Sequence, residues 1–189
     1  AKKIKKKGFK GKIIQIVAPT EWAWRKSRAK DFAKFFDKLL VILPFEKKYF
    51  EKYNLNTTYI GHPIYYINNY NNNIHKEYIA FLPGSRLSEV KKLFNFFQIA
   101  YEQLVIINPD ITIFIPTLPH LEKIISVYVD RWKIKTIITT DKILIEKYYL
   151  ISKFALVCSG TASLEIAKRK IPQLVIYKLN FLTEIILKK

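Results

Sequence analysis

The sequence contains no methionine, a single cysteine (Cys158) and only five glycines among 189 residues. One cysteine excludes a disulfide framework and a cysteine-based metal site within the chain, which is typical of proteins from a reducing cytoplasm. Because a complete translation product begins with methionine, the lack of this residue predicts that the chain is part of a longer protein.

Acidic residues are also scarce: 15 Asp and Glu stand against 33 Lys and Arg, which gives a net charge of +18. This surplus favours an anionic partner, namely nucleic acid, an anionic bilayer or a phosphorylated substrate. The composition of an AT-rich genome, rich in Ile, Lys, Asn, Tyr and Phe codons, is an alternative origin of the same charge. No apolar run reaches the roughly 18 residues that span a bilayer, and no signal-peptide segment follows the basic residues Ala1–Lys7.

Half of the chain is hydrophobic, which is enough for a sizeable core. Short apolar runs predict strands at Ile13–Val17, Leu39–Leu43, Thr57–Ile60, Tyr78–Leu82, Ile111–Ile115, Ile134–Ile138, Phe154–Cys158 and Leu174–Tyr177. Amphipathic stretches predict helices at Arg25–Phe36, Glu46–Tyr53, Leu87–Ile107, Leu121–Arg131, Asp141–Leu150 and Ala162–Lys168. Apolar strands alternating with helices predict an α/β protein, a parallel Rossmann-like sheet with helices on both faces. The Asn-rich residues 68–73 indicate a linker.

Two turns follow strands at positions where open α/β sheets bind ligands. The first contains Gly84, Ser85 and Arg86. Gly84 permits close approach of the backbone, Ser85 either caps the next helix or donates to a phosphate, and Arg86 is placed in the first turn of that helix. A cation is disfavoured there by the helix dipole, so an anionic ligand nearby is indicated. An ordinary turn with a solvated Arg is the alternative.

The second turn contains Ser159, Gly160, Thr161 and Ser163 at the start of another predicted helix. Free N–H groups at a helix N-terminus bind a diphosphate without a metal. Glu165, one turn into this helix, is placed to accept a hydrogen bond from a sugar hydroxyl. A well-capped helix with no ligand explains the same pattern.

Three further features are candidates for contacts with substrate or membrane. His62, in a Gly-His-Pro turn, is a candidate ligand contact between domains, although a lone His in a turn is more often structural. Trp22, Trp24 and Arg25 precede a helix whose Lys26, Lys30 and Lys34 are four residues apart, which fits either core packing or a membrane-contacting surface. His75 and His120 have no partners at metal-ligand spacing, so we expect no metal site.

Five blocks of the sequence, read together, resemble the lipid-A-disaccharide synthases. The matching segments are Ala18-Pro19-Thr20-Glu21-Trp22-Ala23-Trp24-Arg25, Leu43-Pro44-Phe45-Glu46, Gly61-His62-Pro63, Leu82-Pro83-Gly84-Ser85-Arg86 with Glu89, and Ser159-Gly160-Thr161-Ala162-Ser163-Leu164-Glu165. Each block alone is a weak signal, but five in the family's order are a strong one.

The resemblance implies a GT-B glycosyltransferase fold whose N-terminal domain is only partly present. It divides the chain into an acceptor-domain remnant (1–62), a linker (63–76) and a UDP-sugar-binding domain (77–189). The family's N-terminal glycine-rich block, its acidic catalytic base and its "S-L-P-N" segment have no counterpart here, and Glu21 stands where the family has Val. We therefore expect little catalysis from this chain alone.

The implied reaction transfers 2,3-diacylglucosamine from its UDP derivative to 2,3-diacylglucosamine 1-phosphate, without a cofactor. Arg86 would stabilise the diphosphate in the transition state, and His62 is a second catalytic candidate. The implied donor site consists of Gly84, Ser85, Arg86, Ser159, Gly160, Thr161, Ser163 and Glu165. Trp22, Trp24, Arg25, Lys26, Lys30 and Lys34 would contact acyl chains or the anionic inner face of the bacterial inner membrane.

The resemblance thus implies a cytoplasmic protein that is peripheral on the inner membrane. A homodimer of this chain is compatible with that location. No specific nucleic acid is expected, since no recognisable RNA- or DNA-binding motif is present. Another nucleotide-sugar GT-B enzyme, a non-catalytic fragment and a basic nucleic-acid-binding module are the alternatives.

Overall fold

Apolar runs of the sequence form parallel strands in two separate sheets. The computed structural model describes residues 1–19, 26–66 and 78–177, with only the backbone for 26–28. The chain divides into two compact units, Ala1–Tyr66 and Ile67–Lys189. The first residues of the predicted linker, Pro63–Tyr66, form a 3-10 helix in unit 1.

Unit 1 is a small α/β unit. Its elements are α1 (Lys2–Lys6), β1 (Ile14–Ile16), α2 (Lys26–Ala33), β2 (Lys38–Val41), a 3-10 turn (Pro44–Glu46), α3 (Lys47–Glu51) and β3 (Asn56–Tyr59). The strands pair in parallel in the order β1-β2-β3. Leu39 and Val41 of β2 pack with Ala29 of α2 and Phe50 of α3 in one buried cluster, which explains why the central strand is the most apolar.

Unit 2 is the larger α/β unit. Its described elements are β4 (Tyr78–Leu82), α4 (Leu87–Ile107), β5 (Thr112–Pro116), α5 (Pro119–Val129), β6 (Thr136–Thr139), α6 (Lys142–Leu150), β7 (Ser152–Cys158), α7 (Thr161–Lys168) and β8 (Gln173–Ile176). All its strand pairs are parallel, in the order β6-β5-β4-β7-β8. The chain therefore reverses its direction of travel across the sheet between β4 and β7, which makes these strands a topological switch point.

Successive residues of the central strands point to opposite faces of this sheet, as the pleat requires. Ile79 and Phe81 of β4 join the cluster formed with helices α4 and α5. Ala80 and Leu82 join the cluster formed with α6 and α7. Both faces are covered, so the predicted parallel α/β architecture with helices on both sides is confirmed.

Helix α4 has the bounds that the apolar periodicity predicts. Its predicted stripe is buried at Val90, Leu93, Phe97 and Tyr101, and Leu104 packs against the same cluster. Trp132 stacks on Tyr101 with ring centroids 4.4 Å apart, and its indole N–H donates to Gln98 at 2.7 Å. The helix is thus held against the sheet by a continuous aromatic layer.

Helix α1 was not predicted from the sequence. Its five residues include four lysines, and none of the five is buried. The short helix is tied to unit 1 through Lys5, whose ammonium lies 3.5 Å from Asp37. None of the helices in the described ranges combines the length and apolarity that crossing a membrane requires.

Candidate functional site

A cleft of about 530 Å³ opens at the carboxyl ends of strands β4, β5 and β7 in unit 2. Ligands of open α/β sheets bind at this edge, beside the switch point, because neighbouring loops diverge there. The lining residues named in the sequence analysis are Gly84, Ser85, Arg86, Ser159, Gly160, Thr161 and Glu165. Two turns that lie 75 positions apart in sequence thus form two walls of one cavity.

The first wall is the turn between β4 and α4. Gly84 has a φ of +116°, and a Cβ there would lie 2.8 Å from Oε2 of Glu89. A larger residue would therefore be strained and would displace the Glu89 side chain. Arg86 is the N-cap residue with an extended backbone, so it lies immediately before the helix and not in its first turn, where it was predicted. Ser85 does not cap the helix, since its side chain makes no hydrogen bond among those of the described residues, and Glu89 satisfies its N–H.

The second wall is the N-terminus of α7. Gly160 is its N-cap, and no side chain caps the first N–H groups of this helix. The first turn also contains no acidic residue. Because the first N–H groups of a helix have no intrahelical partner, this wall offers backbone donors and a positive dipole end to an anion.

Ser163 does not line the cleft. Its hydroxyl donates to the carbonyl of Gly160 at 2.7 Å, and its own carbonyl accepts from the Gln173 amide at 2.8 Å. These contacts turn the side chain back into the turn and tie the start of α7 to strand β8.

Other lining residues were not singled out by the sequence. Thr117 follows the end of β5, and Glu146 and Tyr149 come from helix α6. Thr117 obeys the same strand-end rule as the two turns and is identifiable from its position after Pro116. No sequence pattern marks Glu146 and Tyr149 as lining residues, because their position at the cleft depends on how helix α6 packs against the sheet.

Arg169 joins α6 to α7 behind the cleft. Its Nη2 donates to Oε1 of Glu146 at 2.5 Å, its Nη1 donates to the Glu165 carbonyl at 3.2 Å, and its guanidinium lies 4.9 Å from the centre of the Tyr149 ring. Burial raises the pKa of Tyr149 above its usual value, although the Arg169 charge opposes this shift. The Tyr149 phenol therefore stays neutral. The buried Arg169 guanidinium holds helix α6 in position through its contacts with Glu146 and Tyr149.

The thiol of Cys158 lies at the floor of the cleft. Burial raises its pKa, the charge of Glu89 adds to the shift, and Arg86 opposes it. A thiol is nucleophilic only when ionised, so the raised pKa disfavours a nucleophilic role for Cys158.

The remaining predicted residues lie elsewhere or outside the described part of the chain. His62 belongs to unit 1, and its Nδ1 accepts a hydrogen bond from the N–H of Ile64 at 3.1 Å. Lys30 is exposed on α2 and Lys34 is exposed immediately after its end. Trp22, Trp24 and Arg25 fall outside the described residues, as does the side chain of Lys26. Within the described ranges, no group of three or more His, Cys, Asp and Glu residues is arranged to hold a metal ion.

Comparison with known proteins identifies the family. The family model described as lipid-A-disaccharide synthetase matches residues 1–189. A lipid-A-disaccharide synthase of Rhodospirillum centenum is 34% identical over 94% of this chain and 47% of its own length. The synthase of Rickettsia canadensis is 34% identical over 100% of the chain and 51% of its own length, and that of Acinetobacter baylyi is 30% identical over 100% and 52%.

The chain spans about half the length of the curated relatives that it matches. The match covers both units of the structure and includes the two turns that form the cleft. This chain belongs to the lipid-A-disaccharide synthetase family.

Proposed function

We propose that the chain provides the donor site of a glycosyltransferase of lipid A biosynthesis. The reaction transfers 2,3-diacylglucosamine from its UDP derivative to 2,3-diacylglucosamine 1-phosphate and gives lipid A disaccharide 1-phosphate and UDP. The observation that carries this proposal is the cleft, whose lining combines Arg86 with the N-terminus of α7.

The chemistry of the leaving group explains this arrangement. When the glycosidic bond of a UDP-sugar breaks, negative charge builds up on the diphosphate. Arg86 and the backbone donors at Gly160 and Thr161 line the cavity where that charge would form, and they would stabilise it. Ser85 and Glu165 line the same cavity and would contact the diphosphate and a sugar hydroxyl respectively.

The proposal predicts that the chain binds UDP without added metal and that Arg86→Ala weakens this binding. A charge-assisted hydrogen bond to a phosphate contributes about 1.5–3 kcal/mol, so the Kd should rise about tenfold or more. Isothermal titration calorimetry measures both values. The matched control is Arg131→Ala, which removes an exposed arginine of the same unit that does not line the cleft.

Two results would contradict the donor-site assignment. One is a folded chain that does not bind UDP. The other is an Arg86→Ala variant that binds UDP as tightly as Arg131→Ala.

We further propose that unit 1 contacts the anionic cytoplasmic face of the inner membrane, where the acylated substrates reside. Lys30, on α2, and Lys34, immediately after its end, support this assignment, because both side chains are exposed. The ammonium of Lys34 also lies 3.2 Å from the Asp31 carboxylate. Because this ion pair is exposed to solvent, it is weak and leaves Lys34 available to contact anionic lipid. Trp22, Trp24, Arg25 and Lys26, which directly precede or begin this helix, complete the proposed surface. The homodimer stays a prediction.

The membrane proposal predicts salt-sensitive binding to vesicles that contain anionic lipid. A lysine near such a surface contributes about 1 kcal/mol, so replacing Lys30 and Lys34 by Glu should weaken sedimentation with these vesicles at least tenfold. Replacing the exposed Lys133 and Lys135 of unit 2 by Glu makes the same change in net charge. Equal losses in the two double variants would show that net charge alone, and not this surface, drives binding.

A further inference from the structure

The Glu89 carboxylate accepts hydrogen bonds from the donor groups of the turn after β4. Its Oε2 accepts from the backbone N–H of Ser85 at 3.1 Å and from that of Arg86 at 3.2 Å. Its Oε1 accepts from Nη1 of Arg86 at 2.6 Å. One internal anion therefore binds two backbone donors and the guanidinium that would otherwise face a ligand.

The turn is shaped around this carboxylate. A Cβ at position 84 would lie 2.8 Å from Oε2 and 2.9 Å from the Cβ of Glu89, so the space that glycine leaves is the space that Glu89 fills. The Glu89 side chain is 28% exposed, whereas that of Arg86 is 76% exposed. The carboxylate is thus held by the turn, and the guanidinium is free to exchange partners in water without a backbone movement.

We propose that Glu89 is a positioning residue of the donor site, which holds Arg86 at the cleft and competes with the diphosphate for it. Glu89 keeps its two backbone hydrogen bonds when a nucleotide diphosphate binds, and Arg86 transfers from Oε1 of Glu89 to the phosphate oxygens. The inference rests on the proposed donor function and adds a residue that acts on the ligand only through Arg86.

Replacing the carboxylate by an amide separates the two roles of Glu89. In Glu89→Gln the side-chain oxygen still accepts from the backbone N–H groups, but the ionic attraction to Arg86 is lost. An exposed ion pair of this kind contributes little, so UDP should bind about two- to fivefold more tightly. Loss of a carboxylate at a helix N-terminus should at the same time lower the thermal midpoint of the unliganded chain. If Glu89 only capped the helix, its replacement by Gln would lower the thermal midpoint without raising the affinity for UDP.

The test is a double-mutant cycle measured by calorimetry with UDP. It compares wild type, Glu89→Gln, Arg86→Ala and the double variant, with Glu102→Gln as a matched control on the same helix, about 20 Å further along. We expect Glu89→Gln to bind UDP more tightly than wild type and Glu102→Gln to bind it equally. In the Arg86→Ala background, adding Glu89→Gln should improve the binding free energy by less than half of the improvement in the wild-type background.

The outcomes distinguish the two proposals. If the wild-type chain binds UDP and Glu89→Gln binds it equally or more weakly, the proposed competition between Glu89 and the diphosphate is overturned and the donor site stands. An equal gain in both backgrounds also overturns it, because Glu89 would then repel the diphosphate directly. If no folded variant binds UDP, the donor function and the role of Glu89 fail together.

Discussion

Replacing Phe97 by Ala is expected to destabilise unit 2 by about 3–5 kcal/mol, the usual cost of emptying a fully buried aromatic site. The Phe97 ring is 1% exposed. It lies edge-on to Phe81 of the central strand at 5.3 Å and 6.1 Å from Phe94. Removing it leaves a cavity between helix and sheet that the surrounding rigid aromatic rings cannot fill.

Denaturant unfolding followed by tryptophan fluorescence measures this loss. The chain has three tryptophans, so replacing Trp22 and Trp24 by Phe leaves Trp132, which packs in the same cluster as Phe97. The neighbouring Phe96 is 39% exposed, and Phe96→Ala should cost less than about 1 kcal/mol. Similar midpoints for the two variants would refute the packing described for α4. Phe97→Leu, which leaves a smaller cavity, keeps the comparison measurable if Phe97→Ala does not fold.

Replacing Arg169 by Met is expected to destabilise unit 2 by about 2–4 kcal/mol. The side chain is 7% exposed, and Met preserves most of its apolar stem while removing the guanidinium. The Glu165 carbonyl then loses a charged donor, Tyr149 loses its cation and Glu146 loses its ion-pair partner. Breaking a buried pair costs about 3–5 kcal/mol, and the value is lower here because Glu146 is 41% exposed and can turn to water.

The exposed Arg131 supplies the matched control for this substitution. Arg131→Met makes the same chemical change at the surface and should alter stability by no more than about 0.5 kcal/mol. The same fluorescence-detected unfolding compares the two variants. Equal stabilities would mean that Arg169 does not hold α6 against α7.

Regular elements with strong apolar periodicity were predictable from the sequence. Strand Tyr78–Leu82 and helix Leu87–Ile107 have the predicted bounds. Their sequence has a short apolar run, a Gly-Ser turn and a long apolar stripe at helical spacing, and this pattern fits only a strand, a turn and a helix. Helix α1 was missed, since four of its five residues are lysines and no apolar stripe marks it. The order of the strands in the sheet is set by pairings between distant segments and has no local signal.

The candidate site divides in the same way. Gly84–Arg86 and Ser159–Thr161 were identifiable because each turn follows a strand, and parallel strands bring their carboxyl ends to one edge. The wall formed by α6 depends on the buried Arg169, a tertiary contact that spacing does not reveal. The family resemblance assigned Ser163 to the donor site, whereas in the structure its hydroxyl donates a hydrogen bond to the Gly160 carbonyl.

The pairing of β4 with β7 has a consequence for synthesis and folding. Tyr78 is paired with Ser152, the longest-range strand pair in the described part of this sheet, whereas Tyr78 pairs with Thr112 on its other side. At about 5–20 residues per second, a ribosome completes β7 roughly 4–15 s after β4. Until β7 is complete, the edge of β4 that pairs with it stays open, and apolar residues lie on both faces of the strand, an arrangement that is prone to aggregation. The two walls of the cleft come together only when this slow, non-local pairing is complete. A nascent chain interrupted before residue 158 therefore lacks the cleft and the full sheet.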